Sequence, residues 1–428
     1  MLKAFKYRIY PNKEQKEFFA KTFGCVRFVW NLMLAEKLSA YEKKEKIPRN
    51  TPAKYKSEYP FLKEVDSLAL ANVQIQLEKA FRDHFRNKKH FGIPKFKKKK
   101  DKQSYTTNNV NGIIKVDFEK NLLYLPKIKA GIKIKLHRAF DGQIKSATVR
   151  MTKDNKYYVS ILVETENVKN KVKEPRATVS HFNSNEQATT LQSSEKCLQY
   201  TKSKICGIDL GLEHFAIITN DFGTYKIEHP KYLRKAEKRL KRLQRVLSRK
   251  QKNSKNYLKT KLKLARLHTY ISNARNDFLH KLSKTIIDEN QVVVVEDLNV
   301  KGLQRSYIAK SVSDSSWSKF LDYLKYKAEW YERTFIKVDR FFPSSKLCHF
   351  CDYKKDDLSL SDRVWTCPIC GTYHDRDINA SLNLYKIGLE RPEFKTVEHA
   401  LVDDRDPFGS PKKLSCDEAG SRTFCKVG

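Results

Sequence analysis

The sequence predicts a multidomain protein with an α+β amino-terminal half and an α/β carboxy-terminal half. The chain has 428 residues, of which 40% are hydrophobic, and this is enough for several domains with buried cores. A polar segment at 169–203 is rich in Ser, Thr, Asn and Gln and lacks a hydrophobic period, so it is predicted to be a linker. On either side of it the patterns of helices and strands differ.

The charge of the chain indicates the kind of partner. It carries 86 Lys and Arg against 49 Asp and Glu, a formal net charge of +37. Such an excess favours a polyanionic partner, and nucleic acid is the leading candidate. No run of about 18 apolar residues is present, and the amino terminus lacks the apolar core of a signal peptide. We therefore expect a cytoplasmic, nucleoid-associated protein of prokaryotic type with no membrane partner.

The amino-terminal half is predicted to contain one strand, a helical lobe and a small antiparallel β-barrel. Residues 1–9 alternate as a strand does, and Asn12 with Gln15 forms the reciprocal capping pattern that begins a helix. Apolar residues then recur at helical spacing within a lobe over 10–112. The period changes to alternation over 113–168, which predicts a small antiparallel barrel or sheet.

A lysine run interleaved with aromatic residues lies near the end of the predicted helical lobe. Lysines can contact phosphates and aromatic rings can stack on bases, so this segment is a candidate nucleic-acid-binding region. A solvated charge run without a partner is the alternative. The candidate residues are Lys95, Phe96, Lys97, Lys98, Lys99, Lys100, Lys102 and Tyr105.

The carboxy-terminal half has the element order of an RNase H-like fold. Residues 204–342 contain three short strands, a long basic helical hairpin, a buried "VVVV" strand, a helix and a further strand, and 375–390 supplies the final helix. A cysteine-containing insertion at 343–374 interrupts this order. The tail at 391–428 carries no recognisable motif and is expected to be partly disordered.

Acidic residues stand at the ends of three of these elements. Asp209 ends an apolar strand, Glu296 follows four valines, and Asp377 begins the last helix. Because this fold order brings the first and fourth strands together, we expect the three carboxylates to form one cluster that binds Mg²⁺. Two ions about 4 Å apart would support phosphodiester hydrolysis. Alternatively, each acid is a cap or turn residue: Asp297 could be the relevant group in place of Glu296, and Asp375 could cap the helix.

Four cysteines form two C-x-x-C pairs within the insertion. Their spacing is that of a zinc ribbon, in which four thiolates surround the ion tetrahedrally. Because four thiolates leave no position for water, the zinc would be structural. Reduced cysteines without metal are the alternative. The predicted ligands are Cys348, Cys351, Cys367 and Cys370.

Together these motifs resemble the TnpB family, also called the OrfB proteins of IS200/IS605-type transposons, which are compact relatives of Cas12 nucleases. The resemblance extends from about residue 1 to about residue 390. It is carried by "YRIYPNKEQKEFFAKTFGCVRFVWN", "IPKFKKKKDKQSY", "GIDLGL", "RLHTYISNARNDFLHKLS", "VVVVEDLNV" and "CHFCDY…CPICGTYHDRDINASLNL".

The resemblance implies an RNA-guided DNA endonuclease encoded by a transposable element, with a RuvC-like nuclease domain. The family's catalytic positions correspond to Asp209, Glu296 and Asp377. Its amino-terminal half is a recognition lobe plus a wedge barrel, whose first strand would be residues 1–9. The implied partners are a transposon-derived guide RNA and double-stranded target DNA, bound by a monomer. A DNA strand transferase and a cleavage-deficient regulator of transposition are the alternative functions.

Overall fold

The computed structural model describes residues 1–165 and 204–390, except residues 47, 49, 307 and 360 and the side chain of Lys301. The predicted linker at 169–203 and tail at 391–428 therefore lie outside the described residues. The chain divides into two compact units. Of the described residues, the amino-terminal unit comprises 1–165 and 240–269, and the carboxy-terminal unit comprises 204–239 and 270–390. No described helix is long and apolar enough to cross a bilayer.

The amino-terminal unit contains a sheet of seven antiparallel strands. In chain order these are β1 (Leu2–Tyr10), β2 (Gln103–Asn108), β3 (Lys115–Asp117), β4 (Leu122–Tyr124), β5 (Ile132–Lys135), β6 (Gln143–Met151) and β7 (Tyr157–Glu164). The order across the sheet is β2-β6-β7-β1-β5-β4-β3. The first strand thus joins the later ones, as predicted. Among the described residues the edge strands β2 and β3 do not pair with each other, so the sheet is open where a barrel was expected.

Three α-helices lie wholly within this unit: α1 (Lys13–Glu42), α2 (Tyr55–Glu58) and α3 (Ser67–Arg86). Helix α1 begins at the predicted capping pair, since the Asn12 side chain accepts from the Gln15 amide and the Gln15 side chain accepts from the Asn12 amide. Phe19, Leu34 and Leu77 of the long helices share one buried core with the inward face of the sheet.

Strand β2 corrects one predicted boundary. Residues 103–108 were assigned to the helical lobe, but they pair with β6 at the edge of the sheet. The strand alternates, with Tyr105 and Thr107 buried and their neighbours partly exposed. The lysines just before it masked this alternation in the sequence.

The carboxy-terminal unit is built on a mixed sheet of five strands. These are β8 (Ile205–Asp209), β9 (His214–Asn220), β10 (Gly223–Glu228), β11 (Val292–Glu296) and β12 (Thr334–Val338). Their order is β10-β9-β8-β11-β12. The strands β8, β11 and β12 run parallel, and β9 and β10 are antiparallel additions.

Helices cover both faces of this sheet. The helices of this half of the chain are α4 (Tyr232–Ser248), α5 (Lys255–Glu289), α6 (Val300–Leu303), α7 (Ala309–Ser315), α8 (Trp317–Trp330) and α9 (Arg376–Leu389). Residues 240–248 of α4 and 255–269 of α5 are assigned to the amino-terminal unit. On one face, Leu279 and Phe320 pack with Val293 and Val295. On the other, Leu384 of α9 packs with the alternate valines of β11. The order of elements is the one predicted from the sequence, and the break between α4 and α5 falls where predicted.

The cysteine insertion adds a small hairpin to this unit. Its strands β13 (Val364–Thr366) and β14 (Tyr373–Asp375) pair in antiparallel fashion. Strand β14 runs directly into α9. The insertion and the final helix are therefore continuous in the chain.

Candidate functional site

Two of the predicted acids lie side by side at one edge of the five-stranded sheet. Strands β8 and β11 are parallel, and their register pairs Ile208 with Val295. Asp209 and Glu296 are the residues that follow this pair, at the carboxyl ends of the two strands. Both side chains are half-buried.

Helix α9 brings the third acid to this edge through an unusually close approach to β8. A Cβ atom at Gly207 would lie 2.3 Å from the Tyr385 amide nitrogen and 2.4 Å from the Ser381 carbonyl oxygen. A Cβ at Gly388 would lie 2.5 Å from a methyl carbon of Ile205. Glycine at 207 leaves room for the facing backbone of α9, and glycine at 388 leaves room for the Ile205 side chain, so these two positions set the contact between helix and strand.

Asp375 and Asp377 have different roles at the start of α9. The Asp375 side chain caps the helix, accepting from the amides of Asp377 at 3.1 Å and Ile378 at 3.2 Å. It also forms an ion pair with Lys226 at 3.0 Å. The alternative role considered for Asp375 is thus the one it has. Asp377 lies in the first turn of the helix. After burial, its charge is the largest cause of the raised pKa of Asp209.

The cluster is electrostatically strained. Burial raises the pKa of Asp209 to about 8, with further increases from the charges of Asp377 and Glu296. Burial, followed by the charge of Asp297, also raises the pKa of Glu296. In the described part of the chain no cationic side chain pairs with Asp209 or Glu296. Carboxylates in this state are relieved by protonation or by a bound cation.

Asp297, the alternative to Glu296, is already neutralised. It forms ion pairs with Lys337 at 2.6 Å and with Arg340 at 3.5 Å. A hydrogen bond from Lys337 holds the pKa of Asp297 below its usual range. Glu296 is therefore the member of this pair that remains available to a metal ion.

Arg363 is a residue of this site that the sequence did not reveal. Its guanidinium lies 3.6 Å from a carboxylate oxygen of Asp377. It comes from the cysteine insertion, immediately before β13. The one available signal was a lone arginine between the two cysteine pairs, which by itself is uninformative.

The four predicted cysteines converge on one point. Their Sγ atoms all lie within 4.8 Å of one another, and they are the only group of three or more Cys, His, Asp or Glu in the described residues compact enough to hold one ion. A hydrogen bond from Thr372 lowers the pKa of Cys370 to about 6, which favours a thiolate. The donor set fits a tetrahedral metal ion. The three acids are more widely spaced than this group.

The predicted nucleic-acid-binding segment is a loop held to α1 by hydrogen bonds. The Trp30 indole donates to the Lys95 carbonyl at 3.1 Å, and Asn31 exchanges hydrogen bonds with the backbone of Lys97. The Lys97 ammonium lies 3.5 Å above the Trp30 ring, and burial lowers its pKa to about 8. The other predicted residues of the loop are exposed, namely Lys95, Phe96, Lys98, Lys99, Lys100 and Lys102.

Tyr105 does not belong to that exposed set, and its prediction as a base-stacking residue is wrong. Its ring is 4% exposed and lies 6.1 Å from the ring of Phe19 and 5.9 Å from that of Phe23. It forms part of the lining of a pocket of about 240 Å³ whose other lining residues include Arg27, Lys98 and Lys102.

Comparison with known proteins agrees with these features. The chain is 34% identical over 397 residues to a "Putative RNA-guided DNA endonuclease" of Streptomyces pristinaespiralis, covering 90% of this chain and 89% of the relative. It is also 28% identical over 410 residues to the protein InsQ of Escherichia coli K12, which has the same description, covering 90% and 92%. This chain belongs to the TnpB family.

Three family models match parts of this TnpB-family chain. The OrfB_IS605 model, described as "Probable transposase", matches residues 160–307. A Cas12f1-like TNB domain matches 317–384, which contains all four cysteines and Asp377. A model described as a helix-turn-helix domain matches 1–46, where the structure has β1 followed by the single helix α1.

The fold of this TnpB-family chain is also found in a solved structure. A Cas12f1 protein in complex with guide RNA and target DNA superposes with a TM-score of 0.55 at 14% identity. The superposition covers 92% of this chain and 99% of the other. At that identity the likeness concerns the fold alone.

Proposed function

We propose that this protein is an RNA-guided DNA endonuclease encoded by an IS200/IS605-type transposable element, with an RNase H-like, RuvC-type nuclease domain. The observation that carries the proposal is geometric: Asp209 and Glu296 end two adjacent parallel strands, and Asp377 begins the helix that packs on the first of them. Burial, and then the charges of Asp377 and Glu296, raise the pKa of Asp209. The names of the full-length relatives support the same activity.

The acidic site would hold magnesium ions on Asp209, Glu296 and Asp377. Hard oxygen donors at the ends of two strands and one helix are the ligands that Mg²⁺ prefers. Bound there, the metal would stabilise the attacking water and the leaving 3′-oxygen of the phosphodiester. Asp209 would lose its carboxyl proton as the site is loaded. Arg363 would then release Asp377 and form an ion pair with the phosphate of the DNA substrate.

The cysteine cluster would hold a structural zinc ion. Four thiolate ligands would leave no coordination position open for water. The zinc would therefore stabilise the insertion and take no part in catalysis. The ion would keep the hairpin β13–β14 in place immediately before α9.

The amino-terminal unit would bind guide RNA and target DNA. The exposed lysines of the 95–102 loop are suited to phosphate contact, and Phe96 is suited to base stacking. The pocket beside them combines cationic and polar side chains over an apolar floor. We propose one copy of the chain in each complex.

The test is a cleavage assay with the full chain and its co-purified RNA. A plasmid library would carry the guide-matched target beside randomised bases, with Mg²⁺ or with a chelator. We expect cleavage that requires the guide RNA, Mg²⁺ and Asp209. Asp209→Ala should be inactive, and Asp322→Ala, the same change at an exposed carboxylate on α8, should be active. RNA-dependent target binding without cutting in the wild type would make the protein a regulator.

A strand transferase is the second candidate, because the matching family model is described as a transposase. The same assay separates the two activities. A nuclease leaves free ends on the cut plasmid, whereas a transferase leaves them joined to a second DNA molecule.

A further inference from the structure

Helix α9 carries Asp377 and is held from two sides. On the sheet side, Gly207 allows the helix to lie directly on β8, and Ser381 shares a buried hydrogen bond of 2.7 Å with Thr219. On the opposite side the helix is bound to the loop that contains the first cysteine pair. The position of Asp377 relative to Asp209 therefore depends on both contacts.

Asn379 makes the contact with the cysteine loop. It is 1% exposed, and both ends of its amide are used. Its Nδ2 donates to the Leu347 carbonyl at 2.6 Å, and its Oδ1 accepts from the His349 amide at 3.1 Å and lies 3.0 Å from the His349 Nδ1. These partners are the residues on either side of Cys348. One side chain of α9 thus binds the backbone around a metal ligand.

Two further contacts reinforce this connection. Asn383, one turn along α9, donates to the carbonyls of Ser344 at 2.7 Å and Leu347 at 2.8 Å. His374 Nε2 lies 3.2 Å from the Cys348 Sγ, and His374 directly precedes the helix cap Asp375. The cysteine site is thus connected to the start of α9 in two ways. His374 links it through the chain to the helix cap, and Asn379 links it through side-chain hydrogen bonds.

We propose that Asn379 is a positioning residue that couples metal occupancy of the cysteine site to the divalent-cation affinity of the acidic site. An ion bound by the four cysteines would fix the backbone at Leu347 and His349, because it would tie Cys348, the residue between them, to the other three ligands. Because Asn379 is hydrogen-bonded to both residues, fixing their backbone also fixes α9 and, with it, Asp377. By linkage, occupancy of the acidic site must also strengthen the cysteine site. The inference rests on the proposed divalent-cation site and does not require cleavage.

The experiment measures Mn²⁺ binding to the full chain by electron paramagnetic resonance. Samples would be zinc-loaded wild type, wild type treated with a chelator to remove zinc and then freed of that chelator, and zinc-loaded Asn379→Ala. Only the Mn²⁺ that is lost in Asp209→Ala is counted, which restricts the measurement to the acidic site. The matched control is Asn290→Ala, another buried asparagine of the same unit, whose side chain donates to the Ile286 carbonyl.

We expect Mn²⁺ affinity to fall about tenfold in Asn379→Ala and in the zinc-free wild type, the scale of outer-shell metal effects. Zinc content of Asn379→Ala should stay at one ion per chain, and Asn290→Ala should bind Mn²⁺ as the wild type does. Equal affinities in the zinc-loaded and zinc-free wild type would overturn the proposal, even if Asn379→Ala failed to fold. An equal loss in Asn290→Ala would overturn it too.

Cleavage assays on the same samples separate this inference from the proposed function. Coupled Mn²⁺ binding without cleavage of any guided target would leave the inference standing and reject the nuclease. Guided cleavage with uncoupled Mn²⁺ binding would reject the inference and leave the nuclease standing.

Discussion

Glu296 and Asp297 are adjacent in the chain, but their carboxylates lie in opposite electrostatic environments. Asp297 is paired with Lys337 and Arg340, and its pKa is lowered. Glu296 has no cationic partner in the described part of the molecule, and burial raises its pKa. The difference arises where β11 ends: Glu296 is its last residue, whereas Asp297 follows it and lies against Lys337 of β12 and Arg340 just beyond that strand.

This contrast predicts a matched pair of variants. Glu296→Gln should lower the single-turnover cleavage rate by about a hundredfold or more, since it removes transition-state charge stabilisation. Asp297→Asn should stay within about threefold of the wild type and cost about 0–1 kcal/mol of stability, because it breaks only partly exposed ion pairs. An equal loss of cleavage rate in the two variants would contradict the assignment of Glu296, and not Asp297, as the metal ligand.

The raised pKa of Asp209 predicts how stability depends on pH. Between its ordinary pKa near 4 and about 8, the folded protein holds a proton at Asp209 that the unfolded chain has lost. The free energy of unfolding should therefore fall as pH rises through this window, by at most about 1.4 kcal/mol per pH unit. Chemical denaturation with a chelator present measures this slope.

Asp209→Asn is the control for that measurement, since it has no proton to lose. It should flatten the slope, and saturating Mg²⁺ should flatten it in the wild type. Mg²⁺ affinity should rise with pH over the same window, because binding displaces the proton. An unchanged slope in Asp209→Asn would assign the dependence to another group.

The close approach at Gly207 predicts opposite effects on stability for two Gly→Ala substitutions. Gly207→Ala would place a methyl group against backbone atoms of α9, so the helix must move and we expect a loss of about 2 kcal/mol or more in stability. Gly24→Ala, in the middle of α1, meets nothing within 4 Å and should stabilise by about 0.5–1 kcal/mol. Thermal unfolding of both variants checks the contrast, and a neutral Gly207→Ala would contradict it.

Much of the carboxy-terminal unit was predictable because its signals are local. Four consecutive valines indicate a strand buried on both faces, and cysteine spacing indicates a metal knuckle. The acids could be named because each directly follows or begins such an element. The parallel pairing of β8 and β11 then followed from the order of the elements.

The contacts made across the fold could not be predicted in this way. Arg363 reaches Asp377, and Asn379 reaches Leu347, through tertiary packing that no periodicity records. Tyr105 was misassigned because the lysines beside it suggested an exposed loop, whereas strand alternation turns its ring into the core. The role of Gly207 in close packing was also hidden, since its motif "GIDLG" reads equally well as a turn.

The charge of the protein predicts the salt dependence of nucleic-acid binding. If about 10 phosphates are neutralised, the logarithm of affinity should fall with the logarithm of salt concentration with a slope near −9. Lys99→Ala and Lys100→Ala, both exposed in the loop, should each make this slope shallower by about 0.9. Fluorescence titration over a salt series measures it. A slope that neither variant changes would remove the loop from the binding surface.

Phe96 and Tyr105 provide the sharpest test of that surface, because one ring is exposed and the other is buried. The Phe96 side chain is 50% exposed, so Phe96→Ala should leave stability within about 0.5 kcal/mol and weaken nucleic-acid binding by about 1–3 kcal/mol. Tyr105→Ala should lower stability by about 3 kcal/mol, since it empties a core position between Phe19 and Phe23. Where enough Tyr105→Ala remains folded, its affinity for nucleic acid should match that of the wild type. Weaker binding by folded Tyr105→Ala, with Phe96→Ala unaffected, would place the base contact in the pocket beneath the loop.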